Sequence, residues 1–258
     1  MEKKRRLILV TNDDGYKAKG IQQLIEIAKK FGDVVAIGAS ESQSGRSHAI
    51  TIKEPLRFKL LEQSNGFSRY VVRGTPVDGV KLAMCSILKR RPDLVLSGIN
   101  HGTNSSTSIV YSGTMGATIE GAINQVPSIG FSLLDYGPNA DFASSAKYVH
   151  DIIEKVIDNG LPAGTCLNVN IPVAKENDIQ GVKVCRQANG FWKEDFEARK
   201  DPSGSQYYWL KGGFINREEN AEDTDEWALN NNYISIVPIK VDMTAYELME
   251  PLNKWEFK

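Results

Sequence analysis

The sequence predicts an α/β protein in which a mostly parallel sheet is flanked by helices and followed by a more extended C-terminal portion. Three observations carry that expectation. Short apolar runs rich in branched side chains occur at residues 7–10, 34–37 and, in the strand expected at 93–96, after Asp93, without the alternation of a half-exposed strand. They are therefore expected to be strands covered on both faces. Residues 20–31 place apolar side chains at Ile21, Leu24, Ile25, Ala28 and Phe31, which is helical spacing between two such runs. Strand, helix and strand in so short a stretch make a parallel unit with a right-handed crossover. Finally, beyond Gly181 the pattern changes to extended, aromatic-rich sequence.

The first strand runs directly into Asn12-Asp13-Asp14-Gly15. Two adjacent carboxylates repel, and the carboxyl end of a strand in an open parallel sheet is where ligands bind. A hard divalent cation would neutralise the pair, but a turn with helix-capping acids explains the same residues. Residues 39–48 form a hydroxyl-rich loop containing Ser44, expected at the same sheet edge. Residues 50–61 and 70–72 are expected to be extended, as a hairpin projecting from the main sheet. Thr75-Pro76-Val77-Asp78 starts a helix, with Thr as cap, Pro at the first helical position and Asp three residues after the cap. That helix should continue to Lys89-Arg90-Arg91, whose charge suits a helix C-terminus.

Residues 93–96 deliver a second polar strand end, Ser97-Gly98-Ile99-Asn100-His101-Gly102-Thr103-Asn104. Tyr111-Ser112-Gly113-Thr114 then opens a helix reaching about Ile123. A helix start with free N–H groups and hydroxyls can hold phosphate, or can simply be a capped helix with small residues for packing. A strand at 128–133, a helix from about Phe142 to Ile157 and a strand at 166–171 stopped by Pro172 complete the core. Two domains are expected, a core at 1–180 and a C-terminal portion at 181–258. The acidic segment 218–226 is expected to be solvated surface. The apolar tail, with Met243, Tyr246, Leu248, Trp255 and Phe257, is expected to dock on the body or on a neighbouring subunit.

Composition narrows the function classes. A net charge of -1 gives no electrostatic case for a nucleic-acid polymer as partner. The three cysteines, Cys85, Cys166 and Cys185, are widely spaced without a CxxC pair, which argues against a disulfide framework or a zinc knuckle. His48, His101 and His150 are too scattered for a zinc site by spacing. The basic residues 3–6 precede an apolar run that ends after Val10, too short for a signal-peptide core, and no stretch approaches transmembrane length. A cytoplasmic protein with no membrane partner is expected.

Asn12-Asp13-Asp14-Gly15, the Ser44-Gly45 loop, Gly74-Thr75-Pro76, Ser97-Gly98-Ile99-Asn100 with Gly102 and Asn104, and Tyr111-Ser112-Gly113-Thr114 together resemble the stationary-phase survival protein SurE family. The resemblance covers about residues 7–133 in correct order. It implies a Rossmann-like core, a C-terminal portion used in a homodimer or homotetramer, and one divalent metal ion per subunit, Mg²⁺ or Mn²⁺. The implied activity is hydrolysis of nucleoside 5′- and 3′-monophosphates. By resemblance Asp13, Asp14, Ser44 and Asn100 would be metal ligands, and Asn104, Ser112, Gly113 and Thr114 would hold the phosphate. Asp13, Asp14, Asn104 and Ser112 would then carry catalysis, with His101 an outside candidate for protonating the leaving group. Ala39-Ser40 stands where many members have Pro-Asp, and Lys19 where Pro is frequent. Two other functions remain open from the residues alone: a phosphatase with an aspartyl nucleophile, and a non-catalytic nucleotide or metal sensor.

Overall fold

The computed structural model describes residues 5–137, 139–175 and 178–255. Its sheet has nine strands. In chain order they are β1 (Arg6–Asn12), β2 (Gly32–Ala39), β3 (Arg57–Ser64), β4 (Phe67–Arg73), β5 (Leu94–His101), β6 (Ser128–Leu133), β7 (Thr165–Ile171), β8 (Gly181–Val184) and, after a separate two-stranded ribbon of β9 (Gly190–Lys200) and β10 (Gln206–Asn216), β11 (Tyr233–Lys240). They lie in the order β3-β4-β2-β1-β5-β6-β7-β11-β8. From β4 to β7 all pairings are parallel, and the antiparallel pairs β3–β4 and β7–β11 lie outside that core.

Four helices cover the two faces of the sheet, α1 (Lys19–Ala28), α2 (Pro76–Leu82), α3 (Gly113–Ile123) and α4 (Ala146–Asn159). The first strand shows why both faces must be apolar. Ile8 and Val10 pack with Leu24 and Ile25 of α1 and Ile153 of α4, whereas Leu9 packs with Val80 of α2 and Ala117 of α3. Successive side chains of a strand point to opposite faces, so a run without alternation is what a doubly covered strand requires. Each fully buried Leu or Ile of this kind contributes about 1.5–3 kcal/mol.

Several elements differ from the sequence expectation. The hairpin of β3 and β4 does not project; β4 pairs with β2, so the hairpin forms one edge of the main sheet. The capping box at Thr75 and Asp78 is present, but α2 ends at Leu82 and continues as one π-helical turn at Ala83–Ile87. The basic run 89–91 therefore lies past the helix, and Arg90 instead binds the Asp93 carboxylate at 2.9 Å and the Arg5 carbonyl. Phe142 stands outside α4, in the preceding loop, buried with its ring edge-on to His101 at 4.7 Å.

The chain beyond Gly181 divides between the sheets, since β8 and β11 complete the main sheet while β9 and β10 form the ribbon. Two short helices follow the ribbon, α5 (Asp225–Asn230) and α6 (Tyr246–Asn253). The tail does not dock on its own body: α6 has no buried residue, and Met243, Tyr246, Leu248 and Trp255 are exposed. Phe257 lies outside the described residues. Among the described residues no helix is long and apolar enough to cross a membrane.

Candidate active site

Strand order reverses direction at β1. The connection from β1 leads outward to β2 on one side, and that from β5 leads to β6 on the other. The carboxyl ends of β1 and β5 therefore flank the crevice in which open α/β sheets bind ligands. Asp13 and Asp14 leave β1 there, and Gly15, at φ +102°, turns the chain away as only glycine does without strain. The Asn12 amide donates to the Gly15 carbonyl at 2.9 Å and fixes that turn. The serine loop is tied to the same point by Gln43 N–H donating to the Asp13 carbonyl at 2.7 Å.

A cavity of about 460 Å³ opens over this edge, lined among others by Asp13, Ser44, Asn100, Asn104 and Ser112. Five predicted site residues thus face one space. The remaining three adjoin it. The Asp14 carboxylate accepts from the His101 backbone N–H at 3.1 Å. The Thr114 hydroxyl, fully buried, donates to Asp13 Oδ1. A Cβ on Gly113 would stand 2.8 Å from the Asp13 Cβ, so glycine is what lets the carboxylate approach the helix start. Thr114 accordingly has a role the sequence did not suggest, since its side chain holds Asp13. Ser112 caps α3, accepting from Met115 N–H at 3.0 Å, and its hydroxyl proton remains to donate.

The electrostatics follow from burial. Desolvation raises the Asp13 carboxyl above its ordinary value, opposed by the Thr114 hydroxyl and by the Thr114 and Gly113 N–H groups. Desolvation, and then the neighbouring charge of Asp13, push Asp14 up to about 7. An acid held above its unfolded value of 3.8 keeps a proton that the unfolded chain has released. Its contribution therefore favours folding at low pH and is lost as pH rises from about 4 to about 7. The expected result is a metal-free melting temperature that falls over that interval, with a smaller fall in Asp14→Asn. Identical pH profiles for the two proteins would refute the assignment. Mg²⁺ or Mn²⁺ should raise the melting temperature more at pH 8 than at pH 5, because at pH 5 it must displace protons.

The donors fit a hard divalent cation. Two carboxylates lie adjacent with no cationic side chain bonded to either among the described residues, and the Asn100 amide spends its N–H on the Gly102 carbonyl at 2.9 Å, which leaves Oδ1 as an acceptor. Buried Asn12 Oδ1 has no hydrogen-bond donor among the described residues. No group of three or more His, Cys, Asp or Glu side chains is placed to hold a metal among the described residues. Oxygen-rich sets with few charges and room for water suit Mg²⁺ or Mn²⁺ rather than a thiolate or imidazole metal. His101 lines the cavity, but burial lowers its pKa, so at neutral pH the ring is mainly uncharged and has no extra proton for a leaving group.

Sequence reasoning missed the layer behind the site. Asn104 donates through Nδ2 to Ser132 Oγ at 2.7 Å, its N–H donates to Asn170 Oδ1 at 2.8 Å, and its carbonyl accepts from Asn168 at 2.8 Å. Asn168 and Asn170 stand two apart in a buried strand, and that pair of amides on one face was the available signal. The acidic segment was also misjudged as solvated. Asp225 is fully buried and accepts from the N–H groups of Ser106 at 2.8 Å and Ala188 at 2.9 Å, while Glu226 accepts from the Ser105 hydroxyl. Residues of α5 thereby fasten the loop that carries Asn104.

Fold and site together define a class: a doubly wound α/β protein with an acidic, oxygen-lined ligand site at the carboxyl edge of its sheet. The family model described as Survival protein SurE matches residues 8–194. A relative from Christiangramia forsetii, named 5'-nucleotidase SurE, is 50% identical over 99% of this chain and 98% of its own. One from Bacteroides fragilis with the same name is 48% identical over 99% of this chain and 100% of its own. The crystal structure of the SurE protein from Aquifex aeolicus superposes with a TM-score of 0.82 at 39% identity, covering 96% of this chain and 98% of that one. The chain belongs to the SurE family.

Proposed function

We propose that this protein is a divalent-metal-dependent phosphomonoesterase that hydrolyses nucleoside 5′-monophosphates, and 3′-monophosphates, to nucleoside and phosphate. The observation that carries the proposal is the buried Asp13, with the half-buried Asp14 beside it, sharing one crevice with Asn104 and the start of α3. The family relatives named 5'-nucleotidase over nearly their whole length support it. Asp13, Asp14, Ser44 and Asn100 would hold one Mg²⁺ or Mn²⁺. When bound, such an ion polarises phosphoryl oxygens and lowers the pKa of water. The chain's own part is to hold the substrate. The Asn104 amide and the Ser112 hydroxyl would bind the non-bridging phosphate oxygens and stabilise charge that grows on them, while Gly113 and Thr114 would act from behind by holding Asp13 at the helix start. The Asn168, Asn170 and Ser132 contacts keep the Asn104 amide aimed.

The test is phosphate release from a panel of nucleoside 5′- and 3′-monophosphates, run with Mn²⁺, with Mg²⁺ and with chelator. Release that needs the metal and stops with chelator is expected; folded protein that releases nothing with either metal would overturn the proposal. The apolar tail belongs to the same proposal. Because α6 buries none of its residues against its own chain, residues 181–258 would supply contacts to a second copy, in a homodimer or homotetramer. Light scattering should then show a mass of two or four chains, reduced when residues 243–258 are removed. A full-length monomer at micromolar concentration would contradict it.

A further inference from the structure

The cavity is larger than a phosphate needs, and its outer wall is aromatic. Beyond the groups assigned above it is bounded by Tyr111, Tyr136 and Trp192, with Glu194 and Leu210 of the ribbon beside them. A space of ≈ 460 Å³ lies in the range that accommodates a whole small organic ligand. Trp192 is the best fixed of the three. Its Nε1–H donates to Ser108 Oγ at 3.1 Å, and its ring meets Phe214, its partner across the ribbon, at 6.0 Å. Its polar atom is satisfied, yet 38% of the residue remains exposed. What it offers the cavity is therefore apolar ring surface on a side chain that has already lost its freedom.

Its place in the chain matters as much. Ser108 sits in the 3-10 turn Ser106–Val110, between Asn104 and Ser112, so the indole is hydrogen-bonded to the segment that joins the two phosphate-side residues. We infer that Trp192 is the stacking platform for the nucleobase of the substrate and so makes this site prefer nucleotides over other phosphomonoesters. The inference rests on the proposed phosphomonoesterase activity and adds to it the residue that reads the base. Stacking on a π-face tolerates any base, so the preference is for a nucleobase as such rather than for one kind.

Adenosine 5′-monophosphate and ribose 5-phosphate share the phosphate and the sugar and differ by the base. Phosphate release from both, by the parent protein, Trp192→Ala and Trp192→Phe, separates stacking from architecture. Trp192→Ala should raise KM for the nucleotide about 10-fold or more at little change in kcat. Its kinetics on ribose 5-phosphate should stay within about twofold of the parent, and Trp192→Phe should recover most of the loss. Equal losses on both substrates would mean that Trp192 only braces the Ser108 turn, and no loss on either would mean that the base lies elsewhere; each result overturns the inference. Adenosine titrated against tryptophan fluorescence gives a readout without turnover. Quenching in the parent that disappears in Trp192→Phe is expected, and quenching that persists in it refutes the platform. If the parent cleaves neither ester, the proposed function fails on its own, and the fluorescence result still decides the platform.

Discussion

Asp13→Asn is expected to lower turnover by at least about 10²-fold, the size of a lost electrostatic contact at a reacting centre, while leaving the metal-free fold intact. The substitution keeps the shape of the side chain and an acceptor for the Thr114 hydroxyl, which Asp13 now receives on Oδ1. What it removes is a charge that burial already disfavours. The metal-free variant should thus melt at the same temperature as the parent or above it. Stabilisation by Mn²⁺ should shrink together with turnover. Near-normal phosphate release from a folded Asp13→Asn protein would sink the assignment of this residue. A variant that loses activity because it unfolds would be exposed by its melting curve.

Asp225→Ala should produce the largest loss of stability of any single change near the site. Its carboxylate satisfies two buried N–H groups from distant segments, on Ser106 and Ala188. Leaving both without an acceptor costs about 1–3 kcal/mol each. Burial also raises the Asp225 carboxyl above its ordinary value, so removing the charge returns part of that cost. The net expectation is a loss of about 2–4 kcal/mol, measured by urea unfolding at pH 7. Asp225→Asn, which keeps one acceptor oxygen, should lose roughly half as much. Activity should fall with Asp225→Ala even where the protein stays folded, because Ser106 belongs to the loop that aims Asn104. Unfolding curves that match the parent would show that the strap carries no load.

The elements that could be anticipated from the sequence share a physical cause. The doubly covered strands show in the missing alternation at Leu7–Val10 and its repeats, and the α2 start shows in Thr75-Pro76 and Asp78, because these are local signals. The crevice residues Asp13, Asn100 and Ser112 were anticipated because each follows directly from a strand end or a helix cap. What could not be read was what depends on distant partners. Glu218–Glu226 has the composition of a solvated segment, and only the fold reveals that Asp225 is packed against a loop about a hundred residues earlier. Phe142 looked like part of a helix and instead meets His101 edge-on from the loop before it. The hairpin of β3 and β4 was placed outside the sheet because nothing local says that β4 will pair with β2.

The α5 strap also has a consequence for how the protein is made. The residues proposed to hold metal and phosphate leave the ribosome early, all of them before Met115, yet Ser105 and Ser106, which follow Asn104, gain their carboxylate partners only when Asp225 and Glu226 arrive. At ordinary rates of synthesis that interval is on the order of ten seconds. During it the nascent chain carries the acidic pair and the helix cap without the brace on Ser105 and Ser106. A chain that terminates between β10 and residue 225 would keep most of the buried core and every residue of the proposed site, and would still lack the clasp. Completion of the polypeptide is in this sense the event that closes the loop behind the site.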